Sequence, residues 1–347
     1  MIGLGIIELY WFALVMDWLN KPILSQLIRR KYFMSDTDFD VVGIGNAIVD
    51  VLAHAEDVFL EEHDLAKGAM TIVDAATAEK IYGMMGPGIE MSGGSAANTM
   101  AGIASLGGSG AFIGKVCKDQ LGEVFIHDIR AAGVSFTTAP GENGAPTARC
   151  LICVTPDAER TMQTFLGACI DLGPEDVDDQ VIGASKVVYL EGYLWDPPRA
   201  KEAFIKAAKT AEQAGRQVAL SLSDPFCVDR HRDEFLDLVD NHVNILFANE
   251  DEIKSLYQVG EFDDALQHVR GHCDIAALTR SSQGSVVIAS DEVHVLDAEK
   301  VDHVVDTTGA GDSYAAGFLY GLTQGKDLAS CGRMGGILAA EIISHYG

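Results

Sequence analysis

Apolar and polar positions along most of the chain follow two interleaved rhythms. Short apolar runs at residues 41–45, 111–113, 187–190, 218–222, 245–248, 275–279 and 285–288 read as strands. Between several of them, residues 75–85, 96–106, 122–132, 199–214, 232–239 and 251–257 repeat their apolar positions with the period of a helix. Strands alternating with helices predict an α/β fold: a mainly parallel central sheet with helices on both faces, a three-layer arrangement. Two stretches break the rhythm, 47–53 with 69–73, and 147–155 with 160–166. They predict the short strands of a small β lid. Neither an internal repeat nor a low-complexity tract interrupts the chain.

Residues 1–33 do not share this pattern. The run from Ile2 to Met16 is apolar apart from Glu8, and Lys21, Arg29, Arg30 and Lys31 follow it. A secretory leader has the opposite charge order, and a membrane anchor needs about 20 apolar residues. Met34-Ser-Asp-Thr-Asp38 is a polar start directly before the first strand. Residues 1–33 are therefore expected to be an extension created by a misassigned start, ahead of a domain at 38–347. The alternative is a membrane-attached protein that uses this segment.

Composition narrows the partners. Among 347 residues, 25 Lys and Arg face 51 Asp and Glu, giving a charge of −26. This excludes the broad basic face that a nucleic-acid backbone requires, and no membrane partner is expected. An acidic protein still binds phosphate where backbone N–H groups at a helix start supply positive potential. Seven cysteines, an odd number, fit a reducing cytoplasm better than a disulfide framework. Cys150 and Cys153 fall three apart in a strand and so point to opposite faces. His268, His272 and Cys273 have ligand-like spacing but read as a solvated helix end.

Two glycine-rich segments carry candidate chemistry. In Asp306-Thr-Thr-Gly-Ala-Gly-Asp312, a turn of small residues opens a helix. Unpaired N–H groups there favour an anion, and Asp312, in the first turn, is placed to take a proton from an attacking hydroxyl. The same dipole is expected to keep Asp312 ionised. Spacing alone is met equally by a glycine turn whose aspartate only stabilises the helix start. In Ser92-Gly-Gly-Ser-Ala-Ala-Asn98, glycines permit close backbone approach of a ligand, and Asn98 offers both donor and acceptor. Close packing of a small-residue helix, with Asn98 as cap, is the other reading. Gly43-Ile-Gly-Asn-Ala-Ile lacks the third glycine and the following helix of a dinucleotide fingerprint.

Taken together, the two segments resemble the signatures of the PfkB (ribokinase-like) carbohydrate kinase family. Gly93-Gly94-x-Ala96-x-Asn98 with Gly107 and Lys115-Val116 looks like the first, and Asp306 to Asp312 like the second. The resemblance runs from about Asp38 to the C-terminus. It implies a ribokinase-like fold with a β lid and transfer of phosphate from ATP, with Mg²⁺, to a hydroxyl of a nucleoside or sugar. Asp312 would be the base, Gly309, Ala310 and Gly311 the anion hole, and Gly94 and Asn98 part of the acceptor pocket. The lid residue Arg160 would close over the transferring phosphate. Asn249-Glu-Asp-Glu252 resembles the family's N-x-x-E motif, so Glu252 would hold Mg²⁺ through water, with Asn249 beside the nucleotide. The same four residues also spell a capping box. Thr279, Gly284 and Gly336 would neighbour ATP, although the family's glycine after Thr279 is absent. The chain also ends earlier than family members usually do, which implies that elements around the adenine are missing.

For the acceptor, Asn46 and Asp50 are four apart, and an extended chain turns both to one side. Their carboxylate and amide suit a ribose diol. The gap between them resembles adenosine and related nucleoside kinases, with Met162 and Leu166 as apolar contacts for a purine. The implied reaction is phosphorylation of adenosine at its 5′-hydroxyl, by a monomer or homodimer. Kinases of ribose, fructose or related sugars are the alternative, and a non-catalytic nucleoside sensor is a third reading.

Overall fold

The computed structural model describes residues 37–345 apart from Ala158, Ser290 and Asp291. The extension at residues 1–33 lies outside the described residues. The strands of the described residues begin β1 Phe39–Ile44, β2 Ile48–His54, β3 Met70–Ile72, β4 Ile89–Gly93, β5 Gly110–Ile113, β6 Ser135–Phe136 and β7 Ala148–Val154. They continue β8 Arg160–Phe165, β9 Ser185–Glu191, β10 Gln217–Ser221, β11 Ile245–Asn249, β12 Ile275–Thr279, β13 Ser285–Ala289 and β14 Glu292–Leu296.

Nine strands form the main sheet in the order β14-β13-β12-β11-β10-β9-β1-β5-β6. All neighbours from β12 to β6 are parallel, and β13 and β14 add an antiparallel edge. Alternate residues of each strand enter separate cores. Val42, Ile44, Val188, Leu190, Val218 and Leu220 face the helices Pro198–Gln213 and Pro225–Asn241. Val41, Val187, Tyr189, Ala219 and Phe247 face Ser95–Ser105 and Ala310–Thr323. Because both faces are covered, the strands read in sequence as continuous apolar runs. On the second face the two helices approach closely: a Cβ on Gly102 would lie 2.7 Å from Cβ of Ala316.

The remaining five strands form the lid, in the order β3-β8-β7-β2-β4. One lid face, with Val49, Val51 and Leu151, packs on Ala78, Ile81, Phe125 and Ile129 from the helices Ala75–Tyr82 and Gln120–Ala131. The expected fold class and lid are thus present. Several elements differ from expectation. The helix expected at 232–239 is Pro225–Asn241, started by Asp224, which caps the Cys227 N–H at 2.7 Å, and kinked at His231. The strands β4, β6 and β14 have no counterpart in the sequence rhythm, because they are short and lie at sheet edges where few positions need to be apolar. The helix Leu328–Ile342 is also additional. Its three glycines, Gly332, Gly335 and Gly336, weaken the helical signal.

Candidate active site

The parallel strands end along one edge of the main sheet, and the chain's direction of travel across the sheet reverses between β1 and β9. Such a reversal leaves a crevice at the carboxyl ends of the strands. Glu191 ends β9 there, Gly45 and Asn46 follow β1, and Asn249 and Thr279 stand paired at the ends of β11 and β12.

Gly309 is the N-cap of the helix Ala310–Thr323, with φ +75°, a left-handed conformation that favours glycine. The Ala310 N–H is used within the turn, donating to the Thr307 carbonyl at 3.2 Å. The amides of Gly311 and Asp312 precede the helix's own hydrogen-bond ladder and are the donors left for an anion. Space above them is open, since a Cβ on Gly311 would meet nothing within 4 Å. Asp312 accepts from Ser95 Oγ at 2.6 Å and from Asn98 Nδ2 at 3.5 Å. The helix dipole does not settle its charge: loss of solvation raises the Asp312 carboxyl to about 6, against the two hydrogen bonds that lower it.

Arg160, at the start of β8, reaches down from the lid to Asp306 at 2.7 Å, both side chains being about nine-tenths buried. Asp306 accepts hydrogen bonds from Thr308 N–H (3.0 Å) and Oγ1 (2.8 Å), so one carboxylate shapes the anion turn and forms the ion pair with the lid arginine. Asp50 lies on the lid face opposite the helices. Burial raises its carboxyl to about 7; the Arg160 charge opposes that rise and the Asp312 charge adds to it. Asp50 is therefore within electrostatic reach of both.

Asn46 does not sit on a strand with Asp50. It precedes β2, is 3% exposed, and donates its side-chain amide to Glu191 Oε1 at 2.6 Å. Gly94 has φ +104°, and a Cβ there would lie 2.2 Å from the Asn46 carbonyl oxygen. Its close approach is to the chain itself. Gly284 has the same kind of cause: a Cβ would lie 1.9 Å from the Leu296 carbonyl oxygen. Gly336 is within the helix Leu328–Ile342, facing Glu299. Met162 lies on the Asp50 face of the lid, and Leu166 follows β8.

Asn249 and Glu252 form the capping box. Asn249 N–H and Nδ2 donate to the Glu252 carboxylate at 2.9 and 2.6 Å, and Glu252 N–H donates back to Asn249 Oδ1 at 2.9 Å. Burial pushes Glu252 up to about 7, and the Asp224 and Asp251 charges add to the rise. Sequence reasoning missed Ser95, Asp306 as the partner of Arg160, Asp224 and Glu191. Glu191 carried one signal, a carboxylate closing the apolar run of β9.

A family model described as "pfkB family carbohydrate kinase" matches residues 89–347. The chain belongs to this family. As a pfkB kinase it is a phosphotransferase that uses ATP to phosphorylate a hydroxyl group of a nucleoside or sugar. It is similar to the solved adenosine kinase of Sinorhizobium meliloti, with 53% identity, 89% of this chain and 94% of that chain covered, and a TM-score of 0.82. A solved probable sugar kinase of Rhizobium etli CFN 42 gives 52%, 89%, 94% and 0.83 for the same measures. The Saccharomyces cerevisiae adenosine kinase is 27% identical over 336 residues, covering 88% of this chain and 95% of that protein. Among the described residues, no helix is long and apolar enough to cross a membrane.

The raised carboxyl of Asp50 carries a stability consequence. A folded-state value above the unfolded one contributes stability at low pH that is lost as pH rises through about 7. Asp50→Asn is expected to raise the melting temperature more at pH 8 than near pH 5, because the loss begins at the unfolded value of about 4 and is complete only above about 7. Thermal unfolding at the two pH values checks this, and a lower melting temperature at pH 8 contradicts it.

Proposed function

We propose that the enzyme phosphorylates the 5′-hydroxyl of adenosine or a closely related purine nucleoside. The observation that carries this reading is the composition of the open lid face. One row across the strands places Met91, Asp50, Cys150, Thr164 and Ile72 side by side, and the next places Ile89, Leu52, Ile152, Met162 and Met70. A single carboxylate is thus followed by an entirely apolar row. Ile72 is 61% exposed, Ile89 64% and Met70 50%. A free sugar would leave the exposed members of that row, Ile89 and Met70, facing water, whereas a nucleoside offers a diol to Asp50 and a flat apolar base to the row beyond. The likeness to the Sinorhizobium meliloti adenosine kinase supports the same reading.

In this reading Asp312 takes the proton from the attacking hydroxyl. A value near 6 leaves it largely ionised at pH 7, yet closer to working pH than an exposed aspartate. Gly311 and Asp312 N–H groups receive the charge that develops on the transferred phosphoryl group. Arg160 holds the lid over that turn. Mg²⁺ fits the residues present: Glu252 is a buried carboxylate beside Asp224 and Asp251, an excess of negative charge that a cation would relieve. Among the described residues no cluster of three or more ligating side chains is arranged to hold a metal directly, so Glu252, with Asn249 beside it, would act through water. The metal would neutralise phosphate charge. Seven unpaired cysteines support a reducing, cytoplasmic setting.

Replacing Asp312 by Asn should lower turnover by roughly 10²–10⁴-fold, the range for losing a general base. Gly311→Val should fold, since nothing crowds that position, and should lose turnover comparably by filling the anion site. Normal rates in both variants refute the assignment. For the metal, Glu252→Gln should raise the Mg²⁺ concentration giving half-maximal rate; an unchanged Mg²⁺ curve with a lower melting temperature would leave only the capping role. For the acceptor, ADP release should be fastest with adenosine, and Asp50→Ala should weaken its use by about 1.5–3 kcal/mol in kcat/KM. Preference for free ribose or fructose, or an unchanged kcat/KM, overturns the nucleoside reading in favour of a sugar.

A further inference from the structure

Glu191 is 1% exposed and, among the described residues, has no cationic partner within its hydrogen-bond shell. Its Oε1 accepts from Asn46 Nδ2 at 2.6 Å and from Asn46 N–H at 3.3 Å, and its Oε2 accepts from Ala96 N–H at 2.8 Å. The donors belong to two different crossings between core and lid. Asn46 lies where the chain leaves β1 for lid strand β2, and Ala96 lies where it returns from lid strand β4 into the helix Ser95–Ser105. The crossings also touch each other, through Gly94 and the Asn46 carbonyl. A Cβ on Gly45 would sit 2.2 Å from Glu191 Oε2. Two glycines therefore make room for one carboxylate and the two crossings it joins.

Each crossing leads to a group at the reacting end. The strand β2 carries Asp50. The first turn of the helix Ser95–Ser105 carries Ser95 and Asn98, the two partners of Asp312. Burial raises the Glu191 carboxyl to about 7 against the pull of its three donors, so the arrangement is held at a cost that an apolar side chain would avoid. We propose that Glu191 is a positioning residue that clamps both lid crossings, and thereby holds Asp50 and Asp312 in register without touching acceptor or ATP. The inference rests on Asp50 and Asp312 acting as proposed above.

Glu191→Gln in the full chain tests the clamp. Glutamine keeps the shape but turns one acceptor oxygen into a donor, which must oppose one of the three N–H donors. Turnover per folded molecule should fall at least ~tenfold, because small misplacements of reacting groups are costly. The KM for ATP should stay within about twofold, since the clamp lies outside the nucleotide contacts and acts on the reacting groups. A lower melting temperature with unchanged turnover would make the role purely structural and overturns the proposal. A rise confined to the acceptor KM would mean direct contact with the acceptor and overturns it too. Should the variant not fold, hydrogen exchange of the unaltered enzyme decides: the amides of Asn46 and Ala96 should exchange more slowly than those of β3, and equal rates overturn the clamp. Failure of the underlying reading is distinguishable, because it appears as normal turnover in Asp312→Asn.

Discussion

The reacting end depends on how closely two helices pack. Gly102 lets the helix Ser95–Ser105 lie against Ala316 of the helix Ala310–Thr323, and their N-terminal turns come together at the same edge of the sheet. The Ser95–Asp312 hydrogen bond forms at that meeting point. The Gly311 and Asp312 amides then face the crevice, while the Ala96 amide is taken by Glu191, so positive potential is offered there without a basic side chain from either helix. A larger residue at Gly102 would part the helices and separate Asp312 from its partners before disturbing anything else in the core.

This potential explains how a chain of charge −26 handles phosphate. Asp50, Glu191, Glu252 and Asp312 are all held with raised carboxyls at the carboxyl edge of the main sheet. In each case desolvation is the first cause. The site is built from acids held out of water and backbone dipoles. Arg160 is the side-chain cation that reaches over it from the lid, and its contact with Asp306 joins the lid to the anion turn. Acid groups that repel one another are tolerated because loss of solvation raises their carboxyls toward the neutral form and N–H and O–H donors meet the charge that remains, as at Glu191 and Asp312.

Much of this was legible in the sequence. The alternation of apolar runs and helical stretches predicted the layered sheet because buried parallel strands must be apolar on both sides, as in Val187 to Leu190. The two glycine segments were legible because close approach and a left-handed turn each leave a glycine behind, as at Gly309 and Gly94. What the glycines approach was not legible. Gly94 and Gly284 accommodate the carbonyls of Asn46 and Leu296, contacts between residues 48 and 12 positions apart that no local pattern encodes. Asn46 likewise looks like a ligand residue from its neighbours, and only the fold brings Glu191, 145 residues on, against its amide. Edge strands such as β4 were missed for a related reason: their apolar residues serve an open face.

That open face separates two kinds of change. Ile89, Met70 and Ile72 project from the two outer strands of the lid and are at least half exposed, so they contribute little to the core, and exchanges at such exposed sites usually alter stability by about 0.5 kcal/mol or less. The joint of Gly45, Asn46, Gly94 and Glu191 has no such latitude, since each member fills space another needs. On the proposed reading of the lid floor, acceptor preference can therefore drift through neutral steps there while phosphate transfer stays fixed below it. Relatives about equally similar to this chain can thus diverge in what they phosphorylate, and a designer wishing to redirect the enzyme would begin with the lid floor and leave the joint alone.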